Sequence, residues 1–333
     1  MQKNLISIIT PCYNSDKYLH RLLESILEQD YPFVEMFAID DGSTDNTSDI
    51  IKSYIPQFQN KGYTFTYIRQ KNQGQSAALN NGLKLVTGEY LIWPDSDDYF
   101  RTSNALTIFV DSLQKHDESY GVVRCIPTFV EEHTLRDISN ASIKQEYFEE
   151  NQFENCLYAK NFFWGAGDYM IRMSIFDKVN PKREIYVEKD AGQNWQMLLP
   201  ILYVSKCLTL KDSLFNILVR SDSHCRGQYR TYNQILKKYS SYRSTILNTL
   251  DNILGMPNED KCKYKNNIII KYEIQELHLA VNYNDFKRIK YLIKSLKKND
   301  VNVSYRQILS IKLMKSFVFK SLYRFLSTIK TKL

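Results

Sequence analysis

Within the first hundred residues, short apolar runs alternate with segments of helical period, and this alternation constrains the fold more than any other feature of the chain. Leu5 to Thr10 reads as a buried strand that ends at Pro11. Lys17 to Gln29 puts Leu19, Leu22, Leu23, Ile26 and Leu27 on one helical face. Glu35 to Ile39 is a second strand, and Asp45 or Thr47 caps a helix that continues to about Tyr54. Thr64 to Arg69 is a third strand. Ser76 to Val86 is a helix stopped at Gly88, and Glu89 to Trp93 is a fourth strand ended by Pro94. Such an order implies an α/β fold: a mostly parallel central sheet with helices on both faces.

The later chain is less regular. A helix follows Ser103 to about Lys115, and Tyr120–Phe129, Phe162–Met173 and Leu208–Val219 look like further strands. Residues 131–160 are polar, aromatic and poorly periodic, as expected of an excursion over a cleft. From about Tyr232 the pattern is helical, with Asn258 to Lys265 as a charged break. The expected organisation is an α/β domain over residues 1–230 and a helical C-terminal extension over residues 231–333.

Charge placement excludes one class of partner. The net charge is +7, and residues 301–333 carry Arg306, Lys312, Lys315, Lys320, Arg324, Lys330 and Lys332 with no acidic residue. The remainder of the chain is therefore balanced, whereas a nucleic-acid protein would spread basic charge over its main domain. No nucleic-acid partner is expected. Apolar residues interleave with the basic ones in this tail. It reads either as an amphipathic helix on an anionic membrane surface or as one packed on its own domain. No apolar run approaches the roughly 18 residues that span a bilayer. Met1 to Asn14 does not fit a secretion signal, and the six cysteines form no C-x-x-C pair. The expected location is cytoplasmic, peripheral on the inner face of the cell membrane.

Two acidic clusters, Asp40-Asp41 and Asp95-Ser96-Asp97-Asp98, sit just past strand ends. Parallel sheets bind ligands at those ends. Asp95 and Asp97 are two apart, so in an extended stretch they point the same way. Converging carboxylates need a compensating cation or donors, and this set suits a hard divalent ion that also holds phosphate oxygens.

Ser7-Ile-Ile-Thr-Pro-Cys-Tyr-Asn14, Ile39-Asp-Asp-Gly-Ser-Thr-Asp45, Asn72-Gln-Gly74, Leu79-Asn80, Gly88-Glu-Tyr and Asp95-Ser-Asp-Asp98 occur in that order. Together they resemble the N-terminal half of glycosyltransferase family 2, which has the GT-A fold. The resemblance is close over about the first 100 residues and loose over residues 160–226. It implies transfer of a sugar from a nucleotide-diphosphate donor, with a lean to UDP, onto a glycan or lipid-linked acceptor, with Mg²⁺ or Mn²⁺. Pro11 and Tyr13 would line the base pocket, Asp41 would bond the base with Asp40 in support, and Asn72 and Gly74 would shape the adjoining loop. Asp95 would lie near the ribose, Asp97 would hold the metal with Asp95, and Asp98 would face sugar or acceptor. Arg220 to Arg226 resembles the segment that closes over the diphosphate. There His224 offers a metal ligand or phosphate contact and Arg226 a phosphate contact.

The sequence departs from the family in two places. Leu79 stands where many members have Arg. Asn194 stands at the position implied for the catalytic base, leaving Glu188, Asp190 and Asp168 as candidate bases. The alternative is a non-catalytic nucleotide-sugar or glycan-binding protein. Trp164 and Trp195 are candidates for stacking on sugar rings or for core packing.

Overall fold

The computed structural model describes residues 1–140, 144–162, 165–189, 191–220 and 229–301. Strand β1 (Gln2–Cys12) is buried at every residue from Ile6 onward, because sheet neighbours and helices enclose it. It lies between β2 (Val34–Asp40) and β4 (Gly88–Ile92), both parallel to it. Beyond β2 lies β3 (Thr64–Arg69), an edge strand with exposed positions. The connecting helices are α1 (Leu19–Leu27), α2 (Thr47–Lys61) and α3 (Gln75–Leu83). The amphipathic pattern of α1 puts Leu19, Leu22, Leu23 and Ile26 into the core. On α3, Gly82 permits close approach to β1: a Cβ there would lie 2.5 Å from Ile9 Cγ2.

The sheet continues through β6 (Tyr120–Arg124), β9 (Tyr169–Arg172) and β10 (Lys206–Thr209), in the order β10-β6-β9-β4-β1-β2-β3. Only β9 is antiparallel to its neighbours in this sheet, so the expectation of a mostly parallel sheet holds. A second sheet has the order β5-β11-β7-β8. Its strands are β5 (Tyr99–Phe100), β7 (Thr128–Glu131), β8 (Asp137–Asn140) and β11 (Phe215–Val219). Helices α4 (Ala105–Gln114), α5 (Phe153–Tyr158), α6 (Met173–Val179) and α7 (Asn194–Val204) complete this part.

Three expectations change. The expected strand over Phe162–Met173 is a strand only over Tyr169–Arg172, and Met173 opens α6. Leu208–Val219 divides between two sheets. Asn258–Lys265 is not a break: it is the exposed, acidic-led start of a helix, where Glu259 and Asp260 suit the helix dipole.

The chain divides into two compact units. One comprises Met1–Gln228 with Ser244–Pro257; the other comprises Tyr229–Arg243 with the residues from Asn258 onward. Among the described residues, the helices after β11 are α8 (Tyr232–Asn252), α9 (Asn258–Tyr283) and α10 (Phe286–Lys298). In the second unit, Leu277 and Val281 of α9 pack on Leu292 and Leu296 of α10. The turn between them passes through Asn284 at φ 58°. The Asp285 carboxylate then caps α10 by accepting from Arg288 N at 3.0 Å, and from Tyr232 OH at 2.8 Å. No helix among the described residues is long and apolar enough to cross a membrane.

Candidate functional site

Parallel pairing brings the carboxyl ends of β1, β2, β3 and β4 to one edge. Cys12 lies opposite Asp40 and Asp40 opposite Arg69, while Ile8 pairs with Ile92. The two acidic clusters therefore leave from the strands on either side of β1. Side-chain bonds join the loops. Asn14 N donates to Ser43 Oγ at 3.0 Å, Ser15 N donates to Thr47 Oγ1 at 2.8 Å, and the Ser15 and Ser96 hydroxyls meet at 2.7 Å.

Asp40 is fully buried and already satisfied: it accepts from Ser43 N at 2.8 Å and from Tyr67 OH at 3.0 Å, with Arg69 Nε 3.7 Å away. Asp41 is equally committed. Its Oδ1 accepts from Gln70 Nε2 at 2.7 Å and Gln73 N at 2.8 Å, and its Oδ2 from Gly74 N at 2.8 Å. Asp41 thus holds the 70–74 loop in place, and a carboxylate has one further lone-pair direction to offer a ligand. Gly74 sits at φ +93°, and a Cβ there would lie 3.2 Å from Lys189 Cα. Half-buried Asn72 packs its backbone against Gly42. Pro11 is buried, whereas the Tyr13 ring is 52% exposed, open to a ligand on one side.

The second cluster is electrostatically strained. Burial, then the field of Asp97, pushes the Asp95 carboxyl up to about 7, although Gln75 Nε2 at 2.5 Å and Gln193 Nε2 at 3.3 Å donate to its Oδ1. Asp98 is pushed well above the usual carboxylate range by burial and then by Asp97 and Asp95, against a 2.8 Å bond from Leu218 N. Asp97 is paired instead: its Oδ2 lies 3.1 Å from Arg220 Nε, and that guanidinium sits 4.6 Å over the Tyr18 ring. The donor set is oxygen alone, its members repel one another, and the cluster already draws in a cation from the chain. Oxygen donors are what a small hard divalent ion takes, yet among the described residues no three His, Cys, Asp or Glu side chains converge to hold a metal.

The candidate bases fall in different settings. Asp168 is fully buried behind the cluster, and neither carboxylate oxygen has a hydrogen-bond partner among the described residues. Burial raises its pKa well above the usual range, against the pull of Arg124. Glu188 is half-buried, tied to α3 through its backbone and the Ser76 hydroxyl at 3.2 Å. Asp190, His224, Arg226 and Trp164 lie outside the described residues. Asn194 opens α7 and its Oδ1 accepts from the buried Trp93 indole at 3.2 Å. Trp195 donates its own N–H to Cys156 O at 3.0 Å.

Sequence reasoning singled out none of Ser15, Gln75 and Gln193, and left Arg220 without a role. Only the fold brings them to the acids; the nearest sequence signal is that Gln75 adjoins one recognised segment and Arg220 opens another. A cavity of about 580 Å³ opens at the opposite edge, beside Lys3, Glu89, His116 and Arg172. Arg172 there is bonded to Leu113 O, His116 O and Tyr120 O, so it serves structure.

The Glycosyl transferase family 2 model matches residues 7–179, just over half of the chain. The chain belongs to that family. Glycosyltransferase GlyA of Streptococcus pneumoniae is 38% identical over 259 residues, covering 73% of this chain but 34% of GlyA. This chain thus spans about a third of that relative's length. TarS of S. aureus, solved in complex with UDP-GlcNAc, superposes with a TM-score of 0.61 at 18% identity, over 96% of this chain and 92% of that one. The mannosyltransferase PcManGT of Pyrobaculum calidifontis, solved with GDP-Man and Mn²⁺, gives 0.57 at 14% identity, over 97% and 84%. The fold is GT-A, and the sequence expectation of family and fold is borne out.

Proposed function

We propose that this chain is a metal-dependent, inverting glycosyltransferase that moves a hexose-type sugar from a nucleotide-diphosphate donor, a UDP-sugar, to a hydroxyl of a glycan or lipid-linked acceptor in cell-surface polysaccharide or glycolipid synthesis. The observation that carries it is the pair of acidic clusters flanking β1, joined through Ser15 and Ser96. Donor complexes of the structural relatives, with UDP-GlcNAc and with GDP-Man and Mn²⁺, support the donor class.

Pro11 and the exposed Tyr13 ring form the wall on which the base stacks. Asp41 sets the 70–74 loop, including Asn72 and Gly74, and offers its remaining lone pair to a base N–H. Asp95 and Asp97 would hold Mg²⁺ or Mn²⁺, with His224 as a further ligand; such an ion, when bound, neutralises charge on the leaving diphosphate. Arg226 is assigned to the phosphates and Asp98 to the sugar side, where its bond to Leu218 N ties the acidic loop to β11. In the transfer, the acceptor oxygen attacks the anomeric carbon, the bond to diphosphate breaks, and a carboxylate takes the acceptor proton. Burial favours the neutral form of Asp168, so Glu188 and Asp190 are better suited to that last role. Segment 301–333 is assigned to holding the enzyme on the cytoplasmic membrane surface, near a lipid-linked acceptor.

Asn194 favours a second reading, a non-catalytic binder of nucleotide sugar or glycan, because an amide cannot accept the acceptor proton. The test is nucleotide-diphosphate release across a panel of donors and acceptors with Mn²⁺. Turnover lost in Asp97→Asn with an unchanged melting temperature supports the enzyme. Donor binding without turnover anywhere in the panel establishes the binder.

A further inference from the structure

Helix α10 presents two different faces. Leu292 and Leu296 are buried, and Ile289 and Ile293 are half-buried with them against α9. The exposed positions are five lysines, Lys287, Lys290, Lys294, Lys297 and Lys298, and two aromatics, Phe286 and Tyr291. At 3.6 residues per turn, all of them fall within about 140° of the helix circumference. The helix is about 20 Å long, so this is a continuous strip.

Its composition is unusual for a merely solvated face. Phe286 is 69% exposed and Tyr291 67%, which leaves two large rings in water. No acidic residue stands between Asp285 and Asp300 to balance the lysines. The helix's one arginine does not belong to the strip: Arg288 Nη2 is bonded to Glu276 Oε2 at 2.6 Å, and its backbone N–H is taken by the Asp285 cap. The strip therefore lacks the planar, bidentate donor that phosphodiester recognition in nucleic acids favours. It offers flexible ammonium groups beside rings that suit a headgroup boundary. The sequence past Asp300 adds seven more basic residues and no acid.

We propose that the Lys–aromatic face of α10 lies flat on an anionic lipid surface, its lysines on headgroup phosphates and Phe286 and Tyr291 at the acyl boundary. This rests on the membrane reading of residues 301–333 and extends it to a second, separate surface.

The test uses the full chain and co-sedimentation with vesicles of equal parts phosphatidylglycerol and phosphatidylcholine, against phosphatidylcholine alone. Each lysine near an anionic surface is worth about fivefold in partition. Combined Lys290→Gln, Lys294→Gln and Lys297→Gln should therefore weaken binding about a hundredfold, with an unchanged melting temperature. Phe286→Ser with Tyr291→Ser should weaken it at least tenfold. Wild-type binding should also fall as salt rises. Wild-type affinity in the lysine variant overturns the proposal and leaves the membrane contact to 301–333 alone. Equal binding to neutral vesicles removes both surfaces. Insensitivity to the aromatic pair, with single-stranded RNA competing fully against vesicles, makes the strip a general polyanion surface and also overturns it. Nucleotide-diphosphate binding, measured in parallel, reports on the donor site independently.

Discussion

Asp41→Asn changes one oxygen for an amide nitrogen and leaves the shape intact, so it isolates what the carboxylate does. Three donors of 2.7–2.8 Å converge on Asp41: Gln70 Nε2, Gln73 N and Gly74 N. An asparagine keeps one acceptor oxygen, which can serve Gln70 and Gln73 as a neutral partner of about half the strength. Its NH₂ then faces Gly74 N, donor against donor. An unsatisfied buried donor costs about 1–3 kcal/mol, and the two weakened bonds add about 1 kcal/mol. Relief from burying a charge offsets part of this, so the net loss is about 2 kcal/mol. For a unit of this size that lowers the melting temperature by about 4–8 °C. Because the 70–74 loop lines the proposed base pocket, UDP affinity should fall about tenfold together with stability. Thermal unfolding of the full chain and titration calorimetry with UDP read the two effects. A variant that melts with wild type yet loses UDP would refute the anchoring argument and make direct contact with the base the main role of Asp41. A variant that loses stability but keeps UDP affinity would detach the loop from the donor site.

Gly74→Ala puts a Cβ at φ +93°, 3.2 Å from Lys189 Cα, and should cost about 1–3 kcal/mol in denaturant unfolding and raise the UDP dissociation constant several-fold. Glu35→Gln is the contrasting case at the far edge of the sheet, where the carboxylate accepts from Ser7 Oγ, Thr87 N, Thr87 Oγ1 and Gly88 N. It should cost about 1–3 kcal/mol of stability with no change in UDP affinity, and a parallel loss of affinity would show that stability alone governs binding in this chain. Asn194→Asp keeps an acceptor for the Trp93 indole but adds a negative charge beside the acidic cluster, so the ligand-free variant should melt below wild type. It should raise turnover at least tenfold, toward the roughly 10²–10⁴ that a general base supplies; unchanged turnover would assign the base to Glu188, Asp190 or Asp168.

The parallel half of the sheet was legible because each strand carried its own apolar run and each helix its own stripe. Helix α7 was not, because Gln196 to Leu202 are all buried and a helix enclosed on every side shows no period. Asn258–Lys265 misled for the opposite reason: an exposed, charged first turn looks like a loop until its dipole is considered. The acidic residues of the site were legible because carboxylates at strand ends are few and adjacent. Their supports were not, because Gln193 meets Asp95 across 98 positions and Ser15 meets Ser96 across 81. No local pattern marks a contact that only the fold creates.

The neutral partners of the acidic cluster bear on why Asn194 stands where the family pattern implies a carboxylate. Asp95 and Asp98 are already held above the usual range by burial and then by the charge of Asp97, and Asp168 by burial. Around them the chain places amides, with Gln75 and Gln193 donating to Asp95 and Asn194 receiving the Trp93 N–H. Among the described residues the fixed positive charge at the cluster is Arg220, which is paired with Asp97 at its Oδ2. A further carboxylate beside Gln193 would add negative charge to a group that the described residues do not neutralise. The Trp93 bond does not select the amide, because a carboxylate would accept it equally well. Charge balance does select it, and it ties the identity of residue 194 to the metal: the more completely a bound cation neutralises Asp95 and Asp97, the smaller the cost of an aspartate at 194. Asn194→Asp should therefore be tolerated best with Mn²⁺ and donor present, as a larger ligand-induced rise in melting temperature than wild type shows.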